Sequence, residues 1–224
     1  MNYPLLVGAC LMAVLDWLAV AKQWRRVAYF AKPLTILLLF TWFVCQAGLQ
    51  GAALWFGIGL LFSLAGDVFL LLPPRYFLFG LAAFSLTHLA YLLGFLLPLP
   101  TMGFLWVGMI LPVIALLAFL VMRRVAASQL QRGLKKLVPA TILYIILISL
   151  MLVSALWTLF RTDWVIGDAV MVSLGAILFY ISDWTNAWIR FVKPVRSGRV
   201  LVMVNYHLGQ FLLMLGVVLN LRGG

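Results

Sequence analysis

The chain contains no glutamate, and its five carboxylates among 224 residues are all aspartates. That absence excludes metalloproteases of the His-Glu-x-x-His kind, whose general base is a glutamate. Charge is scarce altogether, at 9% of residues against roughly 25% in a soluble domain. The two cysteines, Cys10 and Cys45, lie in apolar stretches without metal-ligand spacing. They read as small buried apolar residues, and a disulfide is not expected. There is no Gly-x-Ser nucleophile elbow and no glycine-rich loop suited to a nucleotide. An intramembrane aspartyl protease of the Gly-x-Gly-Asp kind would need glycine where Leu64 stands. No basic residue precedes the first apolar run, and no small-residue cleavage site follows it. The first helix is therefore expected to be retained, not removed as a signal peptide.

Hydrocarbon is what the chain has in quantity. Hydrophobic residues make up 66% of the sequence and the mean hydropathy is +1.16. A helix needs about 20 apolar residues to cross a bilayer, and eight stretches meet that length: 4–21, 33–50, 52–72, 77–97, 103–122, 138–160, 165–189 and 200–221. Backbone groups in lipid must bond within their own segment, so these stretches are helices. The expectation is an all-α integral membrane protein, a bundle of about eight transmembrane helices forming a single polytopic domain over residues 1–224.

The net charge of +11 would suggest nucleic acid in a soluble protein, but its placement points elsewhere. Lys22, Arg25, Arg26 and Lys32 follow the first stretch, and Arg75 follows the third. Arg123, Arg124, Arg132, Lys135 and Lys136 follow the fifth; Arg190, Lys193, Arg196 and Arg199 follow the seventh. Only Arg161 and Arg222 fall on the other side. The positive-inside rule then puts the basic connections in the cytoplasm and both termini outside, across the plasma (inner) membrane if the protein is bacterial. The charge is read as topology plus attraction to anionic membrane lipids, with no nucleic-acid partner. Ser128–Arg132 is expected to lie as an amphipathic piece on the inner surface.

Two of the aspartates, Asp67 and Asp183, sit deep inside apolar stretches. A carboxylate in hydrocarbon costs several kcal/mol and is kept where it faces a protein interior and has work there. Residues three and four apart share a helix face. That places Ser63 and Gly66 beside Asp67, and Asn186 and Arg190 beside Asp183, with Ser182 adjacent. His88 shares a stripe with Phe84, Thr87 and Tyr91, and Gln210 with Tyr206 and Gly209. At about 1.5 Å per residue, both aspartates lie roughly 10 Å from the basic end. Polar residues of four helices thus converge on one half of the bundle. Lys32, directly before Pro33, is expected at the inner mouth, either snorkelling at the interface or meeting a phosphate. Asp16 is expected to pair with a nearby lysine, and Asp163 and Asp168 to be solvated. Tyr206 and His207 are read as interfacial, and Trp157, Trp164 and Trp188 as an aromatic belt.

Lys32-Pro33-Leu34, Gly66-Asp67 followed by Leu72-Pro73, Phe84 with His88 and Tyr91, Ser182-Asp183, and Tyr206 with Gln210 together resemble the YhhN-like family, whose vertebrate members are lysoplasmalogenases. The motifs follow the family's order over nearly the whole chain. Thr87 stands where the family usually has serine, and Gly209 where it often has alanine. The resemblance implies a hydrolase that cleaves the vinyl ether bond of an alkenyl-lysophospholipid to a fatty aldehyde and glycerophospho-ethanolamine or -choline. Protonation of the double bond gives an oxocarbenium ion that water captures as a hemiacetal. Glycosidases likewise set one carboxylic acid to protonate while a second carboxylate steadies the cation or activates water. Asp67 and Asp183 are then the catalytic pair, with Lys32, Ser63, His88, Tyr91, Ser182, Asn186, Tyr206 and Gln210 around the substrate and no metal or cofactor required. Which aspartate is the acid stays open, as does the oligomeric state. The rival reading is a proton-coupled transporter or lipid flippase, in which Asp67, His88 and Asp183 relay protons. It requires polar lining through both halves of the bilayer.

Overall fold

Every apolar stretch folds as a helix, as the missing water dictates. The structure, a computed structural model, describes residues 3–100 and 102–223; Met1, Asn2, Thr101 and Gly224 lie outside the described residues. The helices are α1 (Tyr3–Ala21), α2 (Arg25–Ala47), α3 (Gly51–Leu71), α4 (Phe77–Phe95), α5 (Phe104–Gln131), α6 (Val138–Trp157), α7 (Ile166–Phe191) and α8 (Gly198–Gly223). All eight are long and apolar enough to cross a membrane, and no strand occurs among the described residues. The protein is a multi-pass membrane protein built as one helical bundle.

Two boundaries differ from expectation, for physical reasons. α2 starts eight residues earlier and runs straight through Pro33. Proline is tolerated in a membrane helix where neighbours re-satisfy the backbone, and in the same turn the Thr35 hydroxyl donates to the Ala31 carbonyl at 2.8 Å. Lys32 therefore stands about two turns inside the helix instead of at its mouth. α5 continues past Arg123 and Arg124 to Gln131, reaching about 42 Å, so Ser128–Arg132 belongs to a helix end and not to a separate surface piece. That end is tied down: Gln129 donates to Thr141 of α6 at 2.9 Å, and Ser128 to the Phe191 carbonyl of α7.

Close packing comes from glycine at helix contacts, as is usual in membranes. In α7 and α8, Gly175 faces Gly209, and a Cβ on Gly175 would lie 2.8 Å from the Gly209 carbonyl oxygen. In α3 and α4, Gly66 makes room for the Phe84 ring and Gly59 for the Tyr91 ring. The half of the bundle away from the basic connections is filled by aromatic side chains, with Trp42, Phe43, Phe56 and Phe95 fully buried.

At that end Arg161 is buried and acts as a strap. It donates to the carbonyls of Phe95 and Pro98 and, at 2.6 and 2.9 Å, to the Asp163 carboxylate. Asp163 is thus paired and not simply solvated, and Arg161 holds its carboxyl below the usual range; Asp168 is half-buried instead of fully solvated. Cys10 and Cys45 are free as anticipated, but both sit on the outer surface instead of inside. Trp157 is largely buried and donates to the Met102 carbonyl at 2.9 Å, a structural contact and not part of a belt.

Candidate active site

A pocket lies among α2–α8, with a mostly apolar wall and a few polar side chains converging on it. Its lining comes from the first turns of α2, α4, α6 and α8 and the last turns of α3, α5 and α7. Those are the helix ends adjoining the four basic connections, so the pocket belongs to one half of the bundle. Asp67 and Asp183 both line it, with Lys32, Ser182, Asn186 and Tyr206 beside them.

The two aspartates have different company. Asp67 is fully buried near the end of α3. Its Oδ1 lies 2.9 Å from the Lys32 ammonium, and its Oδ2 accepts from the Tyr206 hydroxyl at 2.8 Å. Behind Tyr206 a chain of bonds runs deeper. Tyr91 donates to Gln210 Oε1 at 2.8 Å, Gln210 Nε2 donates to Ser63 Oγ at 2.7 Å, and Ser63 Oγ is 3.0 Å from the Tyr206 hydroxyl. Because the Gln210 amide can only donate through nitrogen, every bond in the chain points toward Asp67. The array is set for a carboxylate, an acceptor on both oxygens.

Asp183, on α7, has no lysine or arginine within ion-pair distance among the described residues. Its Oδ2 accepts from the Tyr144 hydroxyl and lies 3.2 Å from His88 Nε2, which is itself 3.3 Å from the Tyr144 oxygen. Its side chain retains 12% exposure, and its Oδ1 is not enclosed. One oxygen is held and the other is presented to the pocket. His88 is fully buried, and its Nδ1 has no partner among the described residues.

Most residues singled out from sequence converge here, with distinct placements. Lys32, Ser63, Tyr206, Gln210 and Tyr91 form the Asp67 network, and His88 joins Asp183. Asn186 reaches the pocket wall. Ser182 also lines the pocket but spends its hydroxyl on the Val202 carbonyl at 2.9 Å, fastening α7 to α8. Tyr206 is buried at 3% exposure, so it is not interfacial. Neither is His207, which is fully buried and accepts from Trp17 Nε1 at 3.0 Å. Asp16 is buried with both oxygens unpartnered among the described residues, so the expected lysine bond is not made. Arg190 stacks its guanidinium 3.8 Å from the Phe77 ring centre at the pocket rim.

Tyr144 is a pocket residue that the sequence pattern did not single out. α6 reads as solidly apolar, yet Thr141, Tyr144, Ile145 and Ile148 fall on one face, and that face lines the pocket. The signal was a tyrosine at helical spacing from a threonine.

The sequence profile described as the YhhN family matches residues 27–217. A mouse protein named lysoplasmalogenase TMEM86B is 32% identical over 219 residues, covering 95% of this chain and 84% of the mouse protein. The pig lysoplasmalogenase TMEM86B is 35% identical over 178 residues, 77% of this chain and 64% of its own. The YhhN protein of Escherichia coli O157:H7, named an uncharacterized membrane protein, is 27% identical over 213 residues, 92% and 95% of the two chains. No solved structure matches the chain.

Proposed function

This chain belongs to the YhhN family, and from that premise we propose that it is a lysoplasmalogenase-like hydrolase of alkenyl-lysophospholipids, with Asp183 as the acid and Asp67 as the stabilising carboxylate. The observation that carries the assignment is the unequal company of the two aspartates in one pocket. Both oxygens of Asp67 are committed, one to Lys32 and one to Tyr206, so Asp67 has no oxygen left to deliver a proton. Asp183 has one oxygen held by Tyr144 and His88 and one facing the pocket.

The reaction starts with the vinyl ether seated between them. Asp183 protonates the double-bond carbon remote from the ether oxygen, and positive charge develops on the carbon bonded to that oxygen. Asp67 faces this charge from a low-dielectric wall, where a fixed carboxylate is worth far more than in water. The Asp183 carboxylate then takes a proton from the water that adds, giving a hemiacetal that collapses to aldehyde and glycerophospho-alcohol. His88, 3.2 Å from Asp183, sits where a proton is passed and returned. No step requires a metal.

The phosphate is assigned to Arg190, since the Lys32 ammonium is spent on Asp67. Arg190 stands at the rim, on the side of the basic connections. This reading also places the pocket mouth at the cytoplasmic leaflet. A transporter would need polar lining through to the far half, where aromatic side chains close the bundle. The deciding experiment mixes purified protein with an alkenyl-lysolipid and follows aldehyde release; no aldehyde above a no-protein control would refute the reading.

A further inference from the structure

A second hollow lies on the outside of the bundle, between α5 and α6. It is an open groove lined by Ile114, Ala115 and Ala118 of α5 and Ile142, Ile146 and Leu150 of α6. Ser149 also borders it, but its hydroxyl is engaged with the Tyr180 hydroxyl at 3.2 Å, which leaves the surface hydrocarbon. Ile145 lines this groove and the inner pocket alike. The linings of the aspartate site and the lipid-facing groove therefore meet at the Ile145 side chain.

α5 contributes few buried residues to this wall. Of the 28 residues of α5, only Ile114, Val125 and Gln129 are buried. Pro112 interrupts its hydrogen-bond ladder at the level of the groove, and the small Ala115 and Ala118 give the groove its depth. On the pocket side, Val121 and Val125 of α5 and Ile148 of α6 continue the same apolar surface inward.

We propose that the α5–α6 seam is a lateral portal, and that the groove seats the single hydrocarbon chain of the lysolipid whose vinyl ether lies at Asp67 and Asp183. The occupant follows from continuity: a lipid with its polar end at Arg190 and its reactive bond at Asp183 meets apolar surface next, and that surface leads past Ile145 into the groove. The chain thus stays in contact with the bilayer throughout, and the aldehyde leaves sideways into lipid without crossing water. The proposal rests on the lysolipid reading above for the identity of the chain.

The test fills the groove without touching the pocket. Ala118→Trp places an indole where the chain is to lie. With a long-chain alkenyl-lysolipid, kcat/KM is expected to fall roughly tenfold, the effect of unseating about two methylenes. With a short-chain, water-soluble analogue it is expected to hold at the wild-type value. Equal loss on both substrates, or no loss on either, overturns the portal. A second arm needs no hydrolysis: a non-cleavable alkyl-ether lysolipid with a diazirine at the chain terminus is photolysed on the wild-type protein in vesicles. Saturable labelling of α5 and α6 groove residues, competed by single-chain lysolipid and not by diacyl lipid, supports the seat. Labelling that never saturates, or that any lipid competes, means ordinary annular contact and rejects it. If wild type hydrolyses neither substrate, the enzyme reading falls, while the labelling arm still decides the groove.

Discussion

At the scale of single residues, the two aspartates carry the sharpest predictions. Asp67→Asn and Asp183→Asn keep shape and some hydrogen bonding but remove the ionisable group, so each should cut hydrolysis by about 100-fold or more. Aldehyde release near a tenth of wild type in either folded variant would take that residue out of the mechanism. Lys32 is to be tested differently from what its position before Pro33 suggests. Its ammonium lies 2.9 Å from Asp67, and removing one member of a buried pair costs about 3–5 kcal/mol. Lys32→Met should therefore lower the yield of folded protein, and Lys32→Met with Asp67→Asn should recover part of it, because no buried charge is then left alone. A double variant no better than the single one contradicts the pairing. Arg190→Gln should raise KM about tenfold and lower kcat less, since a phosphate held equally in ground and transition states is uniform binding. The carboxylates were legible as pocket residues, because a carboxylate in hydrocarbon is kept where it faces a protein interior. Their partners were not: Lys32 and Asp67 are 35 positions apart, and only the packing of α2 on α3 brings them together.

Helix existence was readable from apolar length, whereas helix ends were less so. Pro33 looks like a first-turn proline and Arg123-Arg124 like a stop, but in a bundle neither ends a helix once neighbours and the membrane surface accept them. Contacts between elements are set by small residues that sequence alone does not rank. Gly209 is such a position: an added Cβ would lie 2.9 Å from both the Gly175 carbonyl oxygen and the Phe179 nitrogen. The change to alanine looks conservative by chemistry and is not so by geometry. Gly209→Ala should destabilise the fold by about 1–3 kcal/mol through overpacking. It should also lower activity, because Gln210 and Tyr206 ride on the same helix segment. Thermal unfolding in detergent measures the first effect; an unshifted transition would mean that α7 and α8 can part without strain.

For the molecule as a whole, the distribution of charge and the position of the pocket agree. Every basic connection lies at the end where the pocket opens, so an orientation experiment also locates the site. In a background lacking the two exposed native cysteines, Lys193→Cys should react with an impermeant maleimide only from the cytoplasmic side, and Thr162→Cys only from the opposite side. The reverse pattern would turn the protein over and put the pocket mouth in the outer leaflet. One-sidedness was visible in the sequence because depth can be counted along each helix. The closed far half was not, because aromatic residues spread along α2, α3 and α4 look alike whether they face lipid or one another.

The thinly held α5 also bears on how the protein is made. Its main partners, α6 and α7, both come later in the chain, so when α5 leaves the ribosome nothing yet synthesised is there to shelter it. It must enter the bilayer on its own merit, and it is the most apolar of the eight spans. α7, the least apolar of them, carries Asp183 and emerges after the rest of the aspartate pocket except α8 is in place. The order of synthesis therefore matches the order of need: the span that stands alone requires no help, and the span bearing a costly carboxylate arrives when its hosts are already waiting.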